Sequence, residues 1–182
     1  RQVAPRAEQR LLAGVSRPFR IAQDPVGERV AAIDVARRQA ELEGYELVTR
    51  QLDLAIRLRQ ELRADPRISR QFSFLTPAQM IPAEYRGSGF EDYAGPDLWR
   101  RALDAVREDE FFLDPSRLTL ACGLAGYDGT QFKLELADKW DIQLNKTSRN
   151  TVLLQSNINN TRSSSAYLIE TLGRIAEVTE ER

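Results

Sequence analysis

The 182-residue chain contains no histidine and only one cysteine and one methionine. Without histidine it cannot build a Ser-His-Asp triad, a zinc site with imidazole ligands or an imidazole general base. These classes of enzyme are therefore excluded for the chain acting alone. The residues also suggest no other metal site.

A single cysteine, Cys122, cannot form an intrachain disulfide, which fits a reducing compartment. The short apolar stretch 11–15 is followed by Ser16-Arg17-Pro18 and lacks the small-residue cleavage pattern of a signal peptide. No apolar run approaches the length that spans a membrane. We therefore expect a cytoplasmic protein without a membrane partner.

Charge of neither sign dominates, since 26 basic residues balance 27 acidic ones to give a net charge of -1. Such a balance disfavours nucleic acid as a partner. The exception is the start of the chain, where one acid, Glu8, stands among five arginines: Arg1, Arg6, Arg10, Arg17 and Arg20. We interpret residues 1–26 as a solvated basic tail, although contact with a phosphate or an acidic neighbour is an alternative.

A long helix is predicted over residues 27–65. Apolar or small side chains recur there at helical spacing, at Ile33, Ala36, Ala40, Val48, Leu52, Ala55 and Leu62. Charged residues, Arg59 among them, lie between these positions. Pro25 and Asp65-Pro66 set the boundaries, and Gly44 is a point where the helix could split or kink. A helix with so much apolar surface must pack on something.

Within the segment 66–111, residues 67–98 lack sustained periodicity. Prolines and glycines alternate there with five aromatic residues, Phe72, Phe74, Tyr85, Phe90 and Tyr93. The pattern is typical of an ordered irregular segment that crosses a core or a subunit interface. A short helix capped by Asp97 is expected at its end.

The last third, residues 112–182, alternates strand and helix. We predict strands over 117–122, 142–144 and 151–156, a helix over 130–139 and a final helix that begins at Thr161. The order βαββα indicates a small α+β domain, with a sheet that carries helices on one side. The fold class is accordingly α+β.

Lysine is scarce, and this limits any covalent chemistry. Of the three lysines, Lys133 and Lys139 fall on the exposed side of a short helix. Lys146 lies at a strand end near Arg149 and is the weak candidate for a catalytic amine, because a reactive lysine needs burial or a neighbouring cation. No other catalytic residue is predicted.

A glycine loop, with Gly123, Gly126 and Gly129, connects a strand to a helix and could hold a phosphate. Its spacing matches neither the dinucleotide fingerprint nor the P-loop, so an ordinary strand-to-helix turn is favoured.

The remaining polar and aromatic features have structural explanations. The pairs Asp109-Glu110 and Glu180-Glu181 are expected on solvated surfaces, and the run Ser163–Ser165 is expected to cap a helix. Three large aromatic residues are assigned to the core rather than to ligand binding: Trp99, Trp140 and Tyr167.

Several ordered stretches resemble the bacterial ornithine/lysine/arginine decarboxylases. Two of them are Met80-Ile-Pro-Ala-Glu-Tyr-Arg86 and Phe112-Leu-Asp-Pro-Ser-Arg-Leu-Thr-Leu120. Others are Asp34–Leu47, Asp141–Leu153 and Thr161–Glu170, so the resemblance covers most of residues 28–178. Members of that family use pyridoxal phosphate (PLP) and are similar in fold to the aspartate aminotransferases. The resemblance thus implies a linking helix followed by the small domain of such an enzyme.

The resemblance does not extend to the cofactor site. The lysine that holds the cofactor in that family follows a histidine, and this chain has none. Where family members carry Ser-Pro-x-Tyr near the cofactor phosphate, the chain has Asp24-Pro25-Val26-Gly27. It also stops before the family's Pro-Pro-Gly stretch. PLP is therefore expected in the full-length family but not on this chain alone, and its cofactor-binding and substrate-binding residues stay unassigned.

Two interpretations of function remain. In the first, the chain is a piece of a decarboxylase for ornithine, lysine or arginine, which closes the active-site cleft and supports the dimer without being catalytic alone. In the second, it is a truncated, non-catalytic relative that acts as an oligomerisation module. Both imply a partner, either the rest of the enzyme or a second subunit. A third, weaker possibility is a stand-alone ligand-binding domain that uses the glycine loop.

Overall fold

The computed structural model describes residues 25–181, and the first 24 positions of the predicted basic tail lie outside this range. The helices are α1 (Pro25–Ala64), α2 (Pro66–Ser69), α3 (Pro77–Met80), α4 (Leu98–Glu108), α5 (Gly129–Trp140) and α6 (Arg162–Glu180). The strands are β1 (Ser73–Phe74), β2 (Arg117–Ala121), β3 (Lys146–Thr147) and β4 (Thr151–Gln155). Single 3-10 turns lie at Ala83–Tyr85 and Gly123–Ala125.

The chain divides into two compact units between Gly44 and Tyr45. In the described part of the first unit, side chains from residue 27 to residue 43 are exposed, including those of Val30, Ile33 and Leu42. The helix α1 continues through Gly44, so a split at that glycine is ruled out. Residues that favour helix formation lie on both sides of Gly44, and this explains why the helix tolerates one glycine. A Cβ at position 44 would lie 3.9 Å from the Cβ of Ala40.

The second unit is built on an antiparallel sheet in the order β1-β2-β4-β3. Leu118 pairs with Leu154 and Leu120 pairs with Val152, which places these four side chains on one face. Phe74 of β1 joins the same face opposite Leu120. The helices cover this face with a buried cluster that includes Leu58, Leu62, Phe132, Leu136 and Leu172. The α+β prediction is confirmed.

Part of the irregular segment forms a second, smaller core. Phe90 and Tyr93 are buried with Ile56 of α1 and with Ala102 and Ala105 of α4. Phe72 and Phe74 are buried in the main cluster. This part of the segment therefore fills the interior, since four of the five aromatic side chains of residues 67–98 are buried.

The structure differs from the prediction at two strands. The strand predicted at Ile142–Leu144 is wrong, because Asp141 has a φ of 51° and the Ile142 amide bonds the Leu136 carbonyl, which turns the chain back on α5. The strand that follows α5 is instead β3, at Lys146–Thr147. β1 was missed altogether. Both strands have only two residues, too few for an alternating pattern to appear.

The cap of α4 also differs from the prediction. Asp97 does occupy the position before the helix, with a φ of 52°, but its side chain makes no capping hydrogen bond. Instead its carboxylate lies 3.1 Å from a guanidinium nitrogen of Arg100.

Candidate functional site

Lys146 lies on the edge strand β3, and its side chain is exposed. Its strand partner is Leu153, and Arg149 is exposed as well. The structure therefore does not bury the amine, which was one of the two conditions for activating it. The proposal of a catalytic Lys146 gains no support from the geometry.

The glycine loop has no free helix amides for an anion. The Asp128 carboxylate caps α5 and accepts hydrogen bonds from the amides of Thr130 and Gln131, both at 2.8 Å. The Gly129 amide donates to the Arg149 carbonyl at 3.0 Å. An acidic side chain thus occupies the position that a phosphate would need, as expected for an ordinary turn.

Gly129 has a packing role in this loop. A Cβ at this position would lie 2.1 Å from the Ser148 carbonyl oxygen and 2.6 Å from the Thr151 carbonyl oxygen. Only glycine lets the start of α5 approach the β3–β4 turn so closely. Gly126, whose φ is 80°, serves the turn itself.

The serine run caps α6 as predicted. Ser164 donates its amide to the Thr161 hydroxyl at 3.3 Å, while the Thr161 amide donates to the Ser164 hydroxyl at 2.8 Å. This reciprocal arrangement is a capping box.

The predictions for the other polar and aromatic residues have mixed outcomes. Asp109 is half-buried and accepts hydrogen bonds from the amide and hydroxyl of Ser88, so it orders a loop. Trp99 and Tyr167 are each 48% exposed and are not core residues. Trp140 is half-buried and packs against the main cluster, and its carbonyl accepts a hydrogen bond from the Tyr167 hydroxyl.

Arg59 is buried, although it lies between the apolar positions of the helical pattern. Its guanidinium donates to the carbonyls of Leu75 and Arg117, each at 3.0 Å, where β1 and β2 diverge. It also lies 5.6 Å from the ring centre of Phe74 and 5.2 Å from that of Tyr93. Burial lowers the pKa of Arg59, but the group stays charged because an arginine starts far above neutrality.

Tyr93 completes this buried polar cluster. Its hydroxyl donates to the Leu113 carbonyl, and burial raises the pKa of the phenol. Arg59 and Tyr93 together join α1, the irregular segment and the start of the sheet. Their hydrogen bonds are all to backbone carbonyls, so the cluster is architectural rather than catalytic.

A cleft of about 290 Å³ lies between α1, the sheet and the start of α6. Leucines form its floor: Leu54, Leu58, Leu118, Leu154 and Leu168. Its rim carries polar groups from the 141–143 turn, the end of β4 and the first turn of α6, and Asp141 is the ionisable carboxylate among them. No local pattern in the sequence indicates this cleft, since its walls come from four distant segments.

Neither a metal site nor a membrane span is found in the described part of the chain. Residues 25–181 contain no group of three or more cysteine and carboxylate side chains placed to hold a metal ion. No helix in the same range combines the length and the apolar character needed to cross a bilayer.

The fold has a counterpart among solved structures. It is similar to part of the constitutive lysine decarboxylase of E. coli, with a TM-score of 0.55 and 20% sequence identity. The match covers 81% of this chain and 22% of the decarboxylase chain. A scan against models of protein families and a search of curated proteins found no match. At this identity the likeness shows the fold: an α+β unit that corresponds to about a fifth of the lysine decarboxylase.

Proposed function

We propose that the chain is a segment of a PLP-dependent decarboxylase for ornithine, lysine or arginine. In the whole enzyme it closes the active-site cleft and supports the dimer, and it is not catalytic alone. The likeness to the lysine decarboxylase carries the proposal, because it extends over 81% of this chain and relates it to a minor part of that enzyme. The resemblance of Asp34–Leu47 and Asp141–Leu153 to the decarboxylases supports it further.

The residues of this chain do not fit a complete PLP site. A phosphate would meet the Asp128 carboxylate at the start of α5, and the exposed Lys146 has no enclosing pocket. We therefore assign the cofactor to the rest of the proposed enzyme and derive no chemical step from this segment.

Exposed apolar side chains support a role in assembly. In the first unit, Val30, Ile33, Val35 and Leu42 are each more than 60% exposed. In the second unit, Trp99, Leu103 and Val106 lie on one side of α4 and are 48 to 56% exposed. The patch on α4 is of the kind that marks surfaces that pack on other protein. The rest of the decarboxylase is the partner we propose.

The length of the native gene product tests the proposal directly. We expect a polypeptide several times larger than the 20.7 kDa of this chain, which releases carbon dioxide from one of the three basic amino acids. A native product of 20.7 kDa would contradict the segment hypothesis and favour a truncated relative. A longer product that does not decarboxylate any of them would contradict the proposed activity.

Cofactor binding provides a second test. The purified chain mixed with PLP should show no absorbance of lysine-bound cofactor and no label after borohydride reduction. A band that maps to Lys146, disappears in Lys146→Arg and persists in Lys133→Arg would show that the chain holds cofactor by itself. That result would contradict the non-catalytic role.

The alternative is a truncated relative that acts as an oligomerisation module, favoured by the same exposed apolar residues. Sedimentation of the purified chain distinguishes the two. A stable homo-oligomer of the 182-residue chain would favour the module, whereas a monomer that binds only the remaining parts of a longer decarboxylase would favour the segment.

A further inference from the structure

The cleft between α1 and α6 has unused polar groups above an apolar floor. Among the described residues, Asp141, Gln143 and Ser165 make no side-chain hydrogen bond or ion pair, and all three line the cleft. Pockets that combine an apolar floor with a few convergent polar groups are the usual form of a small-molecule site. The cleft therefore fits a ligand that has both an apolar part and a polar group.

The charged residue that lines the cleft indicates the charge of a ligand that would fit it. Asp141 is the acidic residue on its rim, and the other polar lining groups are amides and hydroxyls, among them Gln155 and Ser156. A ligand that complements one carboxylate carries one positive charge. The floor, formed by Leu54, Leu118 and Leu154, accepts hydrocarbon rather than further polar atoms.

The size of the cleft limits the ligand as well. A volume of about 290 Å³ lies at the lower end for small-molecule pockets. It suits a short hydrocarbon chain and excludes a nucleotide or a peptide helix.

We propose that this cleft binds a primary ammonium ion on a short hydrocarbon chain, with the ammonium on Asp141 and the chain on the leucine floor. This goes beyond the proposed function and does not depend on it, because the cleft lies wholly within the described chain. The ammonium donates to the Asp141 carboxylate and to the neighbouring amide and hydroxyl oxygens. The site is a binding site, and no reaction is assigned to it.

Asp141 is well placed for a conservative test. Its φ of 51° is in the left-handed region, which asparagine tolerates as well as aspartate does. Its own backbone amide, rather than its carboxylate, closes the end of α5 by bonding the Leu136 carbonyl. Asp141→Asn should therefore remove the charge without disturbing the fold. Asp138→Asn is the matched control, since Asp138 is an exposed carboxylate in the last turn of α5 and lies outside the cleft.

The experiment is a titration of the 182-residue chain with n-hexylamine at neutral pH, followed by NMR or calorimetry. We expect saturable binding that weakens about two- to fivefold in Asp141→Asn and is unchanged in Asp138→Asn, since Asp141 is exposed and water screens an exposed ion pair. The neutral analogue n-hexanol should bind more weakly than the amine to the wild type, and equally to both variants.

Three outcomes would overturn the proposal. The first is no saturable binding of the amine, and the second is equal weakening in both variants, which would indicate general surface attraction. The third is amine and alcohol binding with the same affinity, which would assign the cleft to neutral apolar molecules. Circular dichroism of Asp141→Asn confirms that the fold is retained, and Ser165→Leu, which fills the cleft from α6, provides a second variant that should weaken binding.

Discussion

The guanidinium of Arg59 lies 5.2 Å from the centre of the Tyr93 ring and donates hydrogen bonds to two backbone carbonyls. Replacing Arg59 by methionine keeps the length of the side chain but leaves the carbonyls of Leu75 and Arg117 without donors. We expect the free energy of unfolding to fall by about 3 kcal/mol, measured by urea denaturation.

Arg57→Met is the control for this variant, because Arg57 is exposed two residues away on the same helix. It should change the stability by less than about 0.5 kcal/mol. An equal loss in the two variants would show that the contacts of Arg59 contribute nothing specific.

Arg59 also shows how far the sequence predicts this structure. The two carbonyls that bind it are 16 and 58 residues away, and no local pattern reports such partners. By contrast, α1, β2 and β4 follow from periodicity within a single segment and were predicted to within two or three residues. The cleft at Asp141 could not be predicted because its walls meet only after folding.

Gly129 lies very close to the backbone of the β3–β4 turn, so the addition of a single methyl group there should strongly reduce the stability of the fold. Gly129→Ala places a Cβ 2.1 Å from a backbone oxygen, and neither the helix nor the turn can move without breaking its hydrogen bonds. We expect a loss of about 3 kcal/mol or more, or failure to fold, measured by thermal unfolding.

Two other glycines are controls for this change. Gly126→Ala meets no atom within 4 Å but strains a φ of 80°, and should cost about 1–2 kcal/mol. Gly44→Ala, in a helix with only ordinary contact, should stabilise by about 0.5–1 kcal/mol. A mild effect at Gly129 that matches the effect at Gly126 would contradict the packing role.

Cys122 predicts a pH dependence of stability at alkaline pH. The thiol is buried, and this raises its pKa to about 11, whereas the pKa of a cysteine in an unfolded chain is about 8.5. Between these values the unfolded chain loses a proton that the folded chain retains. Stability should therefore fall as the pH rises through this window and be unaffected by the thiol below it.

Urea denaturation of the wild type and of Cys122→Ala at several pH values measures this effect. The decline between about pH 8.5 and pH 11 should be shallower in the variant, whatever its absolute stability. Tyr93 is retained in both proteins, so its own titration cancels in the comparison. Parallel declines would show that the thiol does not contribute.

The two tryptophans should differ in their access to solvent. Trp99 is 48% exposed, whereas Trp140 is half-buried and its indole Nε1 is enclosed. In Trp140→Phe the remaining fluorescence of Trp99 should be quenched strongly by iodide. In Trp99→Phe the fluorescence of Trp140 should be quenched less, and the opposite order would contradict the exposed position of α4.

The two outermost strands of the sheet, β1 and β3, have only two residues each. Such short edges present few unpaired amides and carbonyls, and Lys146 adds an exposed charge to one of them. A foreign strand would find too few hydrogen-bonding positions to extend the sheet. The fold is thereby protected from edge-to-edge aggregation, and copies of the chain that associate should do so through helices rather than through a continuous sheet.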